Sequence, residues 1–431
     1  MVQKVFLKVT RALLLMLLVL CPLTSAGQVL ERLMALALAS HPSAQSQRAQ
    51  LQSAQSGLDS ARWQFYPTPS IAVEQAHTAS TDPSYRGDNR VATLRLQQPL
   101  YTGGRLSASM DKAKASLEIG QSALEEVEQQ LGLRVVQAYG EWMSAHLKTQ
   151  AQEKSVSTHI RLSEQVKRRI SVGISADSDL VLAMARLESV HAESQASRTQ
   201  GEMALARLNQ LLGSPVDITS LTALLAPARE LPSDSQVLLA QALEKSPAIQ
   251  KAKAQARVQE AVVLERRAEL SPEVYLRLER QYGNFNLPNS SPENRLFFGL
   301  SSRFGAGLSS LTNVEAARAQ HQAALAEIEV QSRNVAEQVL TDQALALSSA
   351  RRLQSVQAAL NANADVSASY DRQFLAGRKT WIDVMNAARE LTQTEMQLAD
   401  LQASLVAVSW RLAIYTLGIA SLIDAQSLKA P

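Results

Sequence analysis

The chain has 431 residues, with 43 basic and 40 acidic side chains and a hydrophobic fraction of 46%. This near balance of charge gives no sign of a nucleic-acid-binding protein, which normally carries a strongly basic surface. Aromatic residues make up only 4% of the chain. Its long stretches rich in Ala, Leu, Gln, Glu and Arg therefore favour helices that pack through small side chains.

Residues 1–26 have the pattern of a secretory signal peptide. Basic residues precede an apolar run over residues 12–20, and small residues at 24–26 suit a cleavage site. The alternative is an uncleaved anchor, although the run is shorter than the ~20 residues of a spanning helix. Cys21 is the only cysteine, and a lipid acceptor is the alternative for it, although the large Leu20 precedes it. We expect an exported mature chain without cysteine, and therefore without a disulfide or thiolate site.

An internal repeat with an offset of about 204 residues organises the rest of the chain. Pro42 corresponds to Pro247, and Gly173 corresponds to Gly377. A repeat of this length without a linker indicates one duplicated architecture. The expected segments are a first copy over 27–213, an inter-repeat equatorial segment over 214–235, a second copy over 236–418 and a C-terminal tail over 419–431.

Each copy begins with a predicted pair of β-strands. Polar and apolar residues alternate in segments of about ten residues, and loops rich in Gly, Pro, Asn and Ser join them. This alternation is typical of a transmembrane strand, although a half-buried soluble sheet has the same period. The predicted strands span about 70–77 and 90–101 in the first copy, and about 273–282 and 295–304 in the second.

A predicted hairpin of long helices follows each strand pair. No proline lies between Pro99 and Pro215, or between Pro292 and Pro431, so helices can continue without interruption. Apolar residues recur at alternating spacings of three and four, and one glycine breaks each stretch. The expected helices span about 105–171 and 178–212, then about 309–375 and 381–417.

The number of strands predicts a quaternary structure. A sheet in lipid must close, because open edges leave backbone groups unsatisfied, and the smallest barrels have about eight strands. Four strands per chain therefore require several copies. Two copies would give a narrow barrel of eight strands, and three would give twelve strands around an open lumen.

Two local motifs carry a resemblance to a known family. Residues 377–387 read Gly-Arg-Lys-Thr-Trp-Ile-Asp-Val-Met-Asn-Ala, and residues 97–104 read Gln-Gln-Pro-Leu-Tyr-Thr-Gly-Gly. With the duplication and the long helices, these stretches make the chain resemble the TolC family of bacterial outer-membrane channels. The first stretch matches that family's Gly-x-Arg-Thr-x-x-Asp-Val-Leu-Asp-Ala pattern, and the resemblance covers essentially all of the mature chain.

The resemblance implies an α+β membrane protein that assembles as a homotrimer. Its twelve-stranded β-barrel would lie in the lipid of the outer membrane of a Gram-negative bacterium. A periplasmic α-barrel of twelve helices would continue from it. Its partners would be a periplasmic adaptor protein and an inner-membrane ABC transporter or other pump. The family carries out no chemistry, so the resemblance implies no cofactor and no metal.

The resemblance also assigns roles at the turns between the long helices. By position, Asp383 would belong to a ring of carboxylates at the periplasmic gate, whereas Asn386 replaces a second acid. Lys379 stands in the place of an arginine that latches the helices. Phe374 stands in the place of a tyrosine and cannot make the hydroxyl bond, so a looser or differently connected latch is expected. Asp179 is the first-copy equivalent of Asp383 and a candidate partner for a basic residue.

Other residues at the turns are candidates for contact with the adaptor. These are Gly173, Gly377, Arg378 and Trp381. Each assignment has a structural alternative. Thr380 with Asp383 fits a capping box, Asp179 could cap the helix after Ala176, Trp381 could pack inward, and basic residues such as Arg169 could be solvated.

No pattern in the sequence indicates an enzyme. The six histidines lack metal-ligand spacing, and no nucleophile elbow or phosphate loop is present. The leading hypothesis is the exit duct of a type I secretion system for proteins. The alternatives are the outer-membrane channel of a multidrug efflux pump and, from another class, a non-transporting coiled-coil scaffold of the envelope.

Overall fold

The computed structural model describes residues 28–77, 86–216, 221, 234–302 and 309–423. The expected signal peptide, most of the expected equatorial segment and residues 424–431 of the expected tail lie outside these ranges. The described elements, in chain order, are α1 (Gln28–Ser40), α2 (Pro42–Trp63), β1 (Thr68–Gln75), β2 (Arg90–Tyr101), α3 (Arg105–Ser171), α4 (Asp177–Leu212), α5 (Ser235–Lys245), α6 (Pro247–Ala268), β3 (Glu273–Tyr282), β4 (Glu293–Ser301), α7 (Ser309–Leu375), α8 (Trp381–Leu417) and α9 (Ile419–Leu422).

The duplicated architecture predicted from the sequence is confirmed. Each copy contributes two strands, then a helix of 67 residues, then a helix of 36 residues in the first copy and 37 in the second. The chain divides into two compact units. One, the helical unit, comprises the described residues within Met1–Ala44, Glu128–Lys245 and Ala336–Pro431. The other, the strand-bearing unit, comprises those within Gln45–Val127 and Ser246–Val335.

The four strands of the strand-bearing unit form one antiparallel sheet in the order β1-β2-β3-β4. The sheet thus joins the two copies through β2 and β3. Strand β1 begins at Thr68, earlier than predicted, because Thr68 pairs with Gln97. Strand β4 begins at Glu293, two residues earlier than predicted, because its pairing with β3 begins there, opposite Gln281. It ends at Ser301, and residues 303–304 of the predicted strand lie outside the described ranges.

The two faces of the sheet differ in polarity. On one face large apolar side chains are exposed, among them Leu96, Leu278 and Phe298. On the other face, Glu279 is only 8% exposed. Its carboxylate lies 2.7 Å from Nε of Arg95 and 3.0 Å from Nε of Arg277. A wide exposed apolar face beside a polar network is typical of a sheet that meets an apolar medium on one side.

In the strand-bearing unit, helix α6 is joined to α3 by ion pairs. Helix α6 begins after Ser246, whose Oγ accepts the N–H of Ile249 at 3.4 Å, and Pro247 occupies its first position. Along its length, α6 forms three ion pairs with α3. These are Lys112–Glu265 at 2.7 Å, Arg257–Glu118 and Lys251–Glu126.

The helical unit has its own apolar core. Leu30 and Met34 of α1 pack there with Tyr139 of α3 and Trp410 of α8, and all four side chains are fully buried. One charged pair is also buried in this unit. Asp342 of α7 is 1% exposed and accepts a hydrogen bond from Nη2 of Arg411 on α8 at 2.6 Å.

Candidate functional site at the turns of the helical hairpins

Both helical hairpins of the helical unit turn through the same backbone motif. Gly173 has a φ of 75° and donates its N–H to Ile170 O, while Ile174 donates to Arg169 O. Gly377, with a φ of 71°, repeats these bonds in the second hairpin. This pair of bonds is a Schellman motif, in which glycine takes the left-handed conformation that ends a helix. The repeated glycines therefore mark repeated turn geometry.

The two turns differ in how the following helix begins. In the second turn, Oγ1 of Thr380 accepts the N–H of Asp383 at 3.2 Å, and Oδ2 of Asp383 accepts the N–H of Thr380 at 3.1 Å. This is a capping box. Helix α4 has no side-chain cap, and Asp179 contributes only its backbone N–H to Ala176 O. The alternative of a helix cap therefore applies to Asp383 and not to Asp179, because no side chain caps the start of α4.

The capping bonds also set the ionisation of Asp383. Oγ1 of Thr380 donates to Oδ2 at 2.8 Å, and the backbone N–H of Thr380 donates to the same oxygen. These two bonds hold the pKa of Asp383 below its ordinary value of 3.8, and the charge of Lys379, at 4.0 Å, adds to this effect. The carboxylate is therefore ionised at neutral pH.

A small apolar cluster lies directly behind the turns. It is made by residues of all four long helices: Leu162, Val166, Ala183, Phe374, Trp381, Val384 and Met385. We call it the tip cluster. Trp381 begins α8 with only 6% of its side chain exposed, because its indole fills this cluster. The structure therefore places Trp381 as a packing residue of the turn.

Two cations lie over aromatic rings at the tip cluster. The guanidinium of Arg169 lies 4.7 Å from the ring centroid of Phe374, and its Nη1 donates to the Phe374 carbonyl oxygen at 3.0 Å. Nζ of Lys379 lies 4.3 Å from the ring centroid of Tyr370. The expectation that Arg169 is solvated is wrong, because its guanidinium is half-buried against Phe374. An aromatic face thus attracts the cation where a tyrosine hydroxyl is lacking.

The remaining predicted site residues lie at the surface of the turns. Gly173, Gly377 and Arg378 are exposed, and Asn386 is exposed one turn into α8. Asp179 is half-buried and forms no ion pair with the described residues. The structure thus brings Lys379 close to Asp383, and Phe374 into contact with Arg169, and it leaves Asp179 outside these contacts.

Sequence reasoning missed one ion pair near the tip cluster. Nη1 of Arg161 on α3 donates to Oδ2 of Asp371 on α7 at 2.6 Å. The sequence offers only a weak signal for this region, which is the spacing of four between Tyr370 and Phe374 on one helix face. The distance between Arg161 and Asp371 along the chain hides their contact.

The turns thus combine an ionised carboxylate, two cations held over aromatic rings and exposed backbone. Within the described part of the chain, no cluster of three or more His, Cys, Asp or Glu side chains is arranged to hold a metal ion. The helices of the described ranges include none with the length and apolarity required to cross a membrane.

Comparison with known proteins identifies the family. The sequence profile described as "Outer membrane efflux protein" matches residues 33–214 and 238–416, which are most of the chain. The chain belongs to this family. The resemblance to TolC channels is therefore confirmed. Proteins of the outer membrane efflux family are non-enzymatic transporters, which also confirms that the chain is not an enzyme.

The individual relatives of known structure or function share only moderate or low sequence identity with this chain. Protein CyaE of Bordetella pertussis (strain Tohama I) is 30% identical over 268 residues, which are 61% of this chain and 54% of CyaE. The match thus spans about half the length of this curated relative. Two solved structures, the outer membrane protein VceC of Vibrio cholerae and the outer membrane channel CmeC of Campylobacter jejuni, share the fold. VceC is 18% identical with a TM-score of 0.78 over 90% of this chain and 96% of VceC. CmeC is 16% identical with a TM-score of 0.78 over 93% of this chain and 88% of CmeC.

Proposed function

We propose that this chain is the outer-membrane exit duct of a tripartite export system. It assembles as a homotrimer, with its strands in the outer membrane and its long helices in the periplasm. A periplasmic adaptor protein connects it to an inner-membrane ABC transporter, which supplies the energy. Protein substrates then pass to the cell exterior in one step, as in type I secretion.

The observation that carries this proposal is the sheet of the strand-bearing unit. Strands β1 and β4 are the edges of the described sheet, and one of its faces exposes large apolar side chains. An apolar face favours lipid, and lipid does not tolerate unpaired edges. Pairing β4 of one copy with β1 of the next removes both edges. Three copies give a closed wall of twelve strands with the apolar face outward.

The turns of the helical hairpins supply the gate. All the capping bonds of Asp383 use Oδ2, so Oδ1 stays available at the surface of the turn. Three copies would present one ring of three carboxylates, because Asn386 contributes no charge. Lys379 and Asp383 hold the second turn, together with Arg169 and Phe374. The gate is therefore centred on the second hairpin, and Asp179 has a lesser role.

The exposed backbone of the two turns supplies the surface for the adaptor. Gly173, Gly377 and Arg378 are exposed there, whereas Trp381 supports the turn from inside. The Arg-Lys-Thr-Trp sequence of the second turn resembles the protein-secreting branch of the family more than the drug-efflux branch. This resemblance favours protein cargo.

Planar bilayer conductance of the purified chain tests whether it is a channel at all. We expect discrete channels, and a higher conductance for Asp383→Ala because that variant removes the ring of carboxylates. Asp177→Ala is the matched control, since it removes one exposed acid from the other turn. A complete absence of channels in the wild type and in Asp383→Ala would instead support the coiled-coil scaffold.

The cargo is tested by comparing a strain that lacks the gene with the same strain complemented by the intact gene. We expect the deletion to remove at least one protein from the culture medium while the strain's drug sensitivity stays unchanged. Loss of drug resistance with an unchanged set of secreted proteins would reject the secretion proposal in favour of drug efflux. Cross-linking and purification of the complex would then identify the inner-membrane partner.

A further inference from the structure

One heptad of α3 carries polar side chains where the next heptad carries apolar ones. Leu162 and Val166 belong to the tip cluster. At the same alternating spacing, the preceding inward positions are Gln152, Ser155 and His159, with exposed fractions of 1%, 5% and 3%. Core positions of packed helices are normally apolar, and burying polar groups costs free energy. Three successive polar residues on this buried helix face therefore indicate a role besides packing.

A cavity of about 440 Å³ lies above these three residues. Helix α3 forms its floor, and helices α4 and α8 form its sides, so the cavity lies wholly within the helical unit. We call it the polar cavity. Its volume falls in the range of about 300–1,000 Å³ that is typical of small-molecule sites.

The floor of the polar cavity holds a hydrogen-bond acceptor without a donor. Nε2 of Gln152 lies 3.1 Å from Oε2 of Glu193 and 3.0 Å from Sδ of Met396. A carboxylate at neutral pH only accepts hydrogen bonds, so the amide nitrogen must face Glu193. This fixes the position of Oε1 of Gln152, which is buried and has no hydrogen-bond partner. Such an atom favours a ligand that donates.

His159 supplies a second acceptor. Its Nδ1 lies 2.9 Å from the carbonyl oxygen of Ser155, which can only accept, so Nδ1 carries the hydrogen. In the neutral ring, Nε2 is then an acceptor. No described residue provides a hydrogen bond to it. The floor thus offers Oε1 of Gln152 and Nε2 of His159, and the α4 side adds the carboxylate of Glu193. All three groups accept hydrogen bonds.

The sides of the polar cavity carry two free cations. Arg186 of α4 and Arg389 of α8 line it, are exposed and form no ion pair with the described residues. Arg198, which does not line the cavity, is by contrast paired with Glu153 at 2.6 Å. Guanidinium groups bind carboxylates through two parallel hydrogen bonds. These two arginines therefore suit an anionic group at the mouth of the cavity.

We propose that the polar cavity binds a small zwitterion, which is a molecule with one ammonium and one carboxylate group, such as a free amino acid or a short unblocked peptide. The ammonium group donates to Oε1 of Gln152, to Nε2 of His159 and to Glu193. The carboxylate accepts from Arg186 and Arg389. Met385 and Asn386, near the start of α8, also line the cavity, whereas Asp383 does not. The proposal thus rests on the proposed duct and adds a ligand to it.

Isothermal titration of the full-length protein with triglycine tests this proposal. We expect saturable binding of triglycine and no binding of N-acetyl-triglycine amide, which has the same backbone without either charge. Gln152→Leu and Arg389→Gln should each weaken binding by about ten-fold or more, since each removes a hydrogen bond to a charged group. Arg351→Gln is the matched control and should bind as the wild type does, because Arg351 of α7 is also an exposed arginine and does not line the cavity.

Three results would overturn the proposal: no saturable binding of triglycine, equal binding of the blocked peptide, or unchanged binding by Arg389→Gln. Arg389 is exposed, so this variant tests the site even if Gln152→Leu does not fold. Bilayer conductance of the same variants should equal that of the wild type. Loss of binding with intact channels therefore concerns this site alone, whereas loss of channels concerns the proposed duct.

Discussion

The guanidinium of Arg169 lies over the ring of Phe374, 4.7 Å from its centroid, and donates to the carbonyl oxygen of the same residue at 3.0 Å. Arg169 is in the last turn of α3, and Phe374 is in the last turn of α7. One side chain thus joins the ends of the two longest helices. The ring and the carbonyl group both attract a cation, so the contact does not need the hydroxyl of a tyrosine.

Arg169→Met should loosen this end of α7. The variant keeps the apolar stem but removes the cation–π contact and the hydrogen bond, at a cost of about 1–2 kcal/mol. Hydrogen exchange of the amides at 374–380 should accelerate by about five- to thirty-fold. Arg168→Met is the control, because Arg168 is 67% exposed and its nearest carboxylate lies 4.0 Å away. Equal exchange in both variants would show that the contact does not hold the turn.

Asp383 should make the start of α8 sensitive to acid. Its pKa is lowered by the bonds from Thr380, so the folded carboxylate binds protons less readily than the unfolded one. Its stabilising contribution is present above the ordinary pKa of 3.8 and is lost as pH falls through the lower folded value. Hydrogen exchange at residues 381–385, corrected for the intrinsic effect of pH, should accelerate across that interval. Asp383→Asn should lack the acceleration.

Thr380→Ala tests the other half of the same capping box. It removes the hydroxyl that accepts the N–H of Asp383. Opening of the first turn of α8 should increase by about five-fold, which corresponds to the ~1 kcal/mol that an N-cap side chain typically contributes. Ser178→Ala, at an exposed position in the first turn of α4, should have little effect. A similar increase in both variants would contradict a specific contribution of the capping box, because alanine by itself favours the helix.

Removing one partner of the buried pair of Asp342 and Arg411 should lower the free energy of unfolding strongly, whereas neutralising both should lower it much less. Arg411→Met leaves a buried carboxylate without its cation and should lower the free energy of unfolding by about 3–5 kcal/mol at pH 7. The double variant with Asp342→Asn should recover most of this loss. Arg333→Met is the surface control, since the pair of Arg333 and Glu329 is largely exposed, and exposed pairs contribute about 0–1 kcal/mol.

The same pair has a defined response to pH. Burial raises the pKa of Asp342, and Arg411 partly opposes this effect. In Arg411→Met the opposition is gone, so the folded carboxyl takes up a proton at a higher pH than the unfolded one. The variant should therefore regain stability as pH falls through that raised pKa, and lose it again as pH rises. Denaturation at several pH values checks this, and a loss independent of pH would contradict it.

Arginine substitutions on the two faces of β2 test the lipid contact. Leu96 lies on the exposed apolar face, opposite Leu278. Thr93 lies on the other face, opposite Gln281. If the apolar face meets lipid, Leu96→Arg should destabilise the assembled protein by about 2–4 kcal/mol, because the charge enters hydrocarbon. Thr93→Arg should be nearly neutral. Unfolding from lipid vesicles measures both, and equal effects would contradict the assignment of the faces.

The helices and strands could be predicted from the sequence because the patterns that indicate them involve neighbouring residues. The absence of proline between Pro99 and Pro215 permitted a long helix, and alternation over 90–101 predicted a strand. Glycine predicted where the hairpins turn, since Gly173 and Gly377 adopt a positive φ. The register of β1 was less readable, because its start depends on the partner strand rather than on its own residues.

Two buried polar side chains occupy positions where the helical repeat predicts an apolar residue, and the repeat alone does not show what they contact. Asp342 continues the spacing of Val335 and Val339 on α7, and Gln152 continues that of Leu162 on α3. A polar residue at such a position shows that the packing is interrupted, but not what satisfies it. Only the folded structure shows that Arg411 donates a hydrogen bond to Asp342 and that Oε1 of Gln152 has no hydrogen-bond partner.

The sequence by itself determined the duplicated fold, the long hairpins, the turns and the family, because periodicity, proline and glycine act over a few neighbouring residues. The tertiary structure decided that β2 pairs with β3, that Trp381 turns inward and that Arg169 meets Phe374. These relationships join residues far apart in the chain. Their free energies depend on distance and burial in three dimensions, which no local pattern encodes.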